Sequence, residues 1–189
     1  MSALLRGSLV YLAAENPDVM AKAAARWGQD SEYFRLWGSE PPRLHSDKTI
    51  QGWFEKELEK DAPDDFEFAI KTNQDPRLIG FISLFDLHWS HGDTLLFVAL
   101  GERDCWGKGY GTDAVRVMLR YSFLELNLHR IGLIVFEYNP RAIRSYQKAG
   151  FVFEGRIRSA MRREGRRWDW LMMGILREEW LRMQQEAEQ

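Results

Sequence analysis

The sequence predicts an α/β (α+β) domain, and three features carry that prediction. Apolar residues alternate in "FEFAIK", "LIGFISLFDL" and "TLLFVAL", the pattern of strands with one buried face. A glycine-rich loop, "WGKGYG", follows them and precedes a helical run, after which "RIGLIVFEY" and "PRAIRSYQKA" supply another strand and another helix. The 189 residues, 45% of them hydrophobic, suffice for one domain spanning 1–189 with a sizeable core.

Taken in order, Ser8 to Ala14 alternates weakly and is expected to open the fold as a strand. Asn16-Pro17 then offers a cap and first turn for a helix to about Trp27. "RLWGSEPPRL" breaks the pattern, and Ser46 or Asp47 can cap a second helix carrying Ile50, Trp53, Phe54 and Leu58 at helical spacing. The three alternating segments, turned by Asp75-Pro76 and by "HWSHGD", are expected to form an antiparallel meander. A helix from about Gly111 to Leu126, a strand through Tyr138, and a helix from Pro140 to Ala149 ended by Gly150 complete the central part. "FVFEGRIRSAM" and "RRWDWLMMGIL" read as a hairpin turning at Glu164-Gly165, followed by a polar helix.

Composition excludes several function classes. Twenty-six basic against 28 acidic side chains leave a net charge of -2, too little for a global attraction to nucleic acid or anionic membrane. The N-terminal apolar patch, Leu9 to Ala14, is too short for a signal peptide, and no run approaches the roughly 20 apolar residues of a membrane span. The single Cys105 makes no internal disulfide, so a cytoplasmic address is expected.

Gly107, Gly109 and Gly111 stand at alternate positions before the helix. Such a turn lets backbone N–H groups converge on a phosphate at a helix N-terminus, although close packing of a helix on a sheet also selects glycine. A dinucleotide fingerprint fails by one position, because Thr112 stands where its third glycine belongs. A Walker loop fails twice, with Glu102 at the first glycine and Gly109 at the hydroxyl position.

A second constellation, "EYNPRAIRSYQKAGFVFEG", places Asn139 at a helix cap, Tyr146 seven residues on, and Gly150-Phe151 at the helix end. "WGKGYGTDA" together with "NPRAIRSYQKAGF" resembles the two signature segments of the GNAT superfamily of acetyl-CoA-dependent N-acetyltransferases. The tail "GRIRSAMRREGRRWDWLMMGILREEW" resembles the ribosomal-protein N-terminal acetyltransferase branch, which also contains polyamine and antibiotic acetylators. The likeness runs from about Ser8 to Trp180 and is generic over residues 15–60. It implies the GNAT fold, a central, mixed, mostly antiparallel splayed sheet flanked by helices, with acetyl-CoA between the strand ending near Leu100 and the strand from Arg130 to Tyr138.

The resemblance also implies site residues. Trp106, Gly107, Lys108, Gly109, Tyr110, Gly111 and Thr112 match the pyrophosphate loop; Val98, Ala99 and Leu100 match the strand whose backbone pairs with the pantetheine arm and polarises the carbonyl. Asn139 matches a residue that bonds the cofactor arm, and Tyr146 the general acid to the CoA thiolate, a task that suits a phenol. Arg141, Arg144 and Lys148 are expected near the nucleotide's ribose phosphate. Two positions depart from the pattern: Trp106 stands where Gln or Arg is usual, and Leu95 where many relatives of this branch carry a Glu. The latter leaves the general base open among Glu102, Glu67, Glu137, His88, His91 and a water chain.

Direct transfer needs no metal, and His88 and His91, three residues apart in a turn with no third ligand nearby, read as loop histidines. Cys105 has no His partner in the motif and reads as a packed residue. An acidic run, Glu55, Glu57, Glu59, Asp61, Asp64, Asp65 and Glu67, and six arginines from Arg156 to Arg167 differ in sign. An acidic rim would favour a cationic amine or basic peptide and a basic hairpin an acidic carrier or RNA-bound protein, while each also reads as an ordinary solvated face, so the acceptor stays open. The expected partner is an amine acceptor, a protein N-terminus ahead of a small-molecule amine such as a polyamine or antibiotic. No membrane or direct nucleic-acid contact is expected, and a homodimer is compatible with the sequence. The rival reading is a noncatalytic acyl-CoA sensor of the same fold; a generic nucleotide-binding α/β domain is a third.

Overall fold

A computed structural model describes residues 3–41, 45–46, 48–52 and 65–187. Trp53, Phe54 and Leu58 of the expected second helix, Asp47, and the acidic run from Glu55 to Asp64 lie outside the described residues. Seven strands, β1 (Val10–Ala13), β2 (Phe66–Thr72), β3 (Leu78–His88), β4 (Asp93–Leu100), β5 (Arg130–Phe136), β6 (Val152–Arg163) and β7 (Arg166–Leu176), form one sheet in the order β1-β2-β3-β4-β5-β7-β6. Every pairing is antiparallel except β4 with β5. The expected meander is β2-β3-β4.

Helices α1 (Pro17–Gly28), α2 (Ser31–Trp37), α3 (Tyr110–Leu124), α4 (Pro140–Ala149) and α5 (Arg177–Ala187) flank the sheet. Asn16 caps α1 through Asp18 N–H, with Pro17 in the first turn. Ser46 starts the short helical segment 48–52, accepting the Thr49 and Ile50 N–H groups. Gly150 ends α4 at φ +106°, and Glu164 (φ +52°) with Gly165 (φ +75°) makes the tight turn between β6 and β7. The spacing missed α2. Its start is set by Asp30, whose carboxylate accepts Glu32 and Tyr33 N–H, but its seven residues are followed at once by Gly38 and the paired prolines, too short a run for its spacing to stand out. The strand expected through Tyr138 stops at Phe136, where Asn139 N–H turns back to the Phe136 carbonyl.

The larger core fills the space between the sheet and α3, α4 and α5, with Ile82, Leu84, Met118, Phe123, Ile131 and Ile175 fully buried. On the opposite face a smaller aromatic cluster of Trp27, Tyr33, Trp37, Phe81, Phe97 and Trp106 seats α1 and α2 on β3 and β4. No helix among the described residues is long and apolar enough to cross a membrane.

Asp113 locks α3 to the start of β1. Its carboxylate, 9% exposed, accepts Ser8 N–H and hydroxyl, Leu9 N–H at 2.7 Å and Val10 N–H at 3.0 Å. Gly7 permits the approach, since a Cβ there would stand 2.3 Å from an Asp113 oxygen. Asp113→Ala strands these donors, so urea unfolding is expected to show a loss of about 3 kcal/mol at unchanged m-value.

Candidate active site

The sheet is split. β4 pairs with β5 at Asp93–Arg130, Thr94–Ile131 and Leu95–Gly132, then the strands part, although β3 stays on β4 to Leu100 and β7 stays on β5 to Phe136. Among the described residues, the inner backbone edges of Leu96–Leu100 and Leu133–Phe136 are therefore without strand partners. A cleft of about 300 Å³ occupies the gap.

Its wall gathers Val98, Ala99 and Leu100 of β4, Trp106, Gly107, Gly109, Gly111 and Thr112 of the loop and first turn of α3, and Asn139, Arg141, Arg144, Tyr146 and Lys148 on and before α4. Lys108 and Tyr110 are not on that wall. Lys108 is exposed at the tip of the loop, and Tyr110 packs against the main core. Gly107 (φ +74°) and Gly109 (φ +92°) hold left-handed backbone that a side chain would strain. The first N–H groups of α3 have no partner inside the helix, and Gly111 and Thr112 of that turn line the cleft together with the Arg141, Arg144 and Lys148 cations. An anion is the group such a corner accommodates.

Thr112 and Ser145 hydroxyls meet at 2.8 Å, tying α3 to α4 behind the glycines. Asn139 is buried; its side-chain oxygen caps α4 through Ala142 N–H at 3.2 Å and its amide donates to Leu36 O at 3.2 Å. Tyr138 hydroxyl donates to Arg35 O at 2.6 Å, Arg163 donates to Gly38 O and Glu40 O, and Arg35 pairs with Glu164 at 2.7 Å. Together these bonds fasten α2 and the residues just after it to the end of β5 and to the β6-β7 hairpin. Tyr33, Leu36, Trp37, Phe97, Ile134 and Phe136 extend the cleft on this side as a mostly apolar wall.

Tyr146 is buried on the cleft wall, its ring edge-on to Phe151 with centroids 5.8 Å apart. Burial pushes its phenol well above the ordinary tyrosine range, so it stays protonated. Cys105 is buried beside Arg77, with burial raising its thiol pKa.

None of the expected base residues reaches the cleft wall. Leu95 sits on the last paired rung of β4, against Gly132 of β5. Glu102 is held by Arg26 and by the Trp27 indole at 2.8 Å, and Glu137 accepts Asp169 N–H at 3.1 Å. His88 and His91 lie at the opposite end of β4, where the strands still pair, and Glu67 lies on β2. Among the described residues the wall holds no Asp, Glu or His, and no group of three or more His, Cys, Asp or Glu could hold a metal.

Four of the six hairpin arginines are engaged within the chain. Arg156 pairs with Asp169 at 3.2 Å, Arg163 donates to the Gly38 and Glu40 carbonyls just after α2, Arg166 lies 3.7 Å over the Trp168 ring, and Arg167 donates to Ser159 O. The sequence motifs pointed to the glycine loop, Asn139 and Tyr146. They did not point to Trp37, Phe97 and Phe136, which converge only because α2 crosses to the split in the sheet.

Residues 10–152 match the family model for the acetyltransferase (GNAT) domain. The chain is 32% identical over 134 residues to the SPbeta prophage-derived uncharacterized N-acetyltransferase YokL of Bacillus subtilis, covering 71% of this chain and 73% of that protein. It is 30% identical over 145 residues to spermidine N(1)-acetyltransferase of Vibrio cholerae, covering 77% and 80%. The crystal structure of spermidine N-acetyltransferase from Vibrio cholerae in complex with CoA and spermine superposes with a TM-score of 0.78 at 26% identity, covering 91% of this chain and 98% of that one. The chain belongs to the GNAT acetyltransferase family, and it is an N-acetyltransferase with acetyl-CoA as its acetyl donor.

Proposed function

We propose that the enzyme transfers acetyl directly to the α-amine of a protein N-terminus, with Tyr146 as general acid. The observation that carries the acceptor is the cleft wall, which has no Asp, Glu or His among its described residues. Among the described residues such a wall offers no carboxylate to hold a polycation and no base to deprotonate one, which favours an acceptor that arrives with a neutral nitrogen. At pH 7.5 an α-amine of pKa ~7.8 is roughly one-third neutral, whereas an alkylamine of pKa ~10.4 is roughly 0.1% neutral.

Acetyl-CoA, when bound, supplies an acetyl group activated as a thioester. The glycine-loop amides from Gly107 to Thr112 and the Arg141, Arg144 and Lys148 cations would hold its phosphates. The free inner edge of Val98–Leu100 would pair with its amide arm, and the N–H groups there would polarise the carbonyl. Asn139 would keep α4 in register with α2 and offer its remaining amide hydrogen to the arm. As the amine nitrogen bonds to the carbonyl carbon and the C–S bond breaks, Tyr146 gives its phenolic proton to the departing sulfur. Water takes the ammonium proton, and Tyr146 is reprotonated from solvent.

A polyamine acceptor is the second reading, favoured by the spermidine N-acetyltransferases among the relatives and by the acidic run from Glu55 to Glu67. Thiol release with free-amine peptides and with spermidine separates the two. At pH 7.5 the N-terminal reading expects kcat/KM for the better peptides at least about tenfold above spermidine. The opposite order would assign the polyamine.

A further inference from the structure

Trp106 opens the phosphate loop, and its side chain is bound on two sides. The indole N–H donates to Leu100 O at 2.7 Å, fastening the loop to the end of β4. Two guanidinium groups lie over its ring, Arg141 at 4.0 Å and Arg103 at 5.0 Å. These two cations differ in what else holds them. Arg103 bonds Asp30 and pairs with Glu32 at 2.9 Å, so its charge is answered within the chain. Arg141 is half-buried, lines the cleft, and has no ion pair or hydrogen bond with any described residue. Burial pulls its pKa down, with Arg103 pushing the same way and Glu32 opposing. A half-buried cation with no ion pair among the described residues is costly unless a ligand supplies one.

We propose that Trp106 is a positioning residue that acts through Arg141: its ring holds that guanidinium beside the glycine loop, ready for an anionic group of the donor. Trp106 is attached to the β4 side of the split and Arg141 to the β5 side through α4, so the stack also sets the width of the cleft at its phosphate end. A Gln side chain here could reach a carbonyl but would offer no face for stacking. This role rests on the acetyl-CoA assignment.

Two substitutions separate the two bonds of the indole. Trp106→Phe keeps a face for Arg141 and loses the bond to Leu100 O, whereas Trp106→Gln keeps a donor and loses the face. Calorimetric titration with CoA, repeated across a salt series, reads both. Trp106→Gln and Arg141→Ala are each expected to weaken CoA by about tenfold, the scale of one charge-assisted contact. Both should also flatten the salt dependence of binding. Trp106→Phe should stay within about threefold of wild type, and the double variant Trp106→Gln/Arg141→Ala should bind no more weakly than either single change, within about twofold. Thermal midpoints of all four are recorded alongside.

Arg141→Ala binding CoA like wild type would overturn the role. So would additive losses in the double variant, or equal losses for Trp106→Phe and Trp106→Gln with a salt dependence like that of wild type, because a merely structural Trp106 gives that pattern. Wild-type protein that fails to bind CoA at all would instead remove the donor assignment, and this role with it.

Discussion

Tyr146→Phe is expected to lower kcat by about 10²-fold on any amine accepted, with KM for acetyl-CoA within about twofold of wild type, because general-acid catalysis contributes on that scale. The substitution removes only the hydroxyl and keeps the ring that packs edge-on against Phe151. A stability change is therefore expected to be small. The pH profile supplies a second reading of the same group. Burial raises the phenol's pKa above its ordinary value near 10, so the proton donor persists on the alkaline side. With no Asp, Glu or His on the described wall, kcat/KM should rise with the neutral fraction of the amine and then stay level to about pH 10. A falling limb near pH 8 that disappears in Tyr146→Phe would contradict this, since it would place the phenol's titration below its ordinary range.

Gly111→Leu is expected to abolish donor binding, more than about 100-fold, in a protein at least as stable as wild type. Gly111 is in the first turn of α3 with no left-handed φ, so its backbone accepts a side chain. Its Cβ would meet Leu100 Cδ1 at 3.4 Å and Ser145 Oγ at 3.9 Å, ordinary contacts. Those neighbours belong to the two sides of the split, and a leucine there would bridge them and fill the gap between β4 and α4. Replacing glycine within a helix adds roughly 0.5–1 kcal/mol of stability. Thermal unfolding together with calorimetric titration of CoA checks both halves. Retained CoA affinity would mean that the donor does not pass between these elements.

Much of the site was legible because its signals are local. The alternation of Gly107, Gly109 and Gly111, the cap at Asn139, the helix end at Gly150 and the turn at Glu164-Gly165 each depend on a few neighbouring residues and their backbone angles. What sequence could not display depends on distant segments meeting. The point of splaying, at Leu95 and Gly132, is a property of two strands separated by a whole helix. Asp113 reads as an ordinary first-turn acid until Ser8–Val10 lands on it. Trp106 looked like a departure from a loop that acts through its main chain; its role appears only when Leu100 O and Arg141 are brought to it. α2 was missed because it is a seven-residue helix followed at once by Gly38 and the Pro41-Pro42 break, too short for its spacing to stand out, and with it went the aromatic wall of Trp37 and Phe97. The open question of the base also narrowed through placement, since Glu102 and Glu137 are committed to other partners and the histidines sit at the closed end of β4.

The most direct measurement is a crystal structure of the enzyme with CoA. The expected result is the pantetheine arm lying along Val98–Leu100 in the gap between β4 and β5, the phosphates on the amides from Gly107 to Thr112, and the sulfur within about 3.5 Å of the Tyr146 hydroxyl, contact distance for a proton transfer to sulfur. CoA seated elsewhere on the protein, or in the gap with its sulfur turned away from Tyr146, would contradict the assignment of the split in the sheet as the site of acetyl transfer.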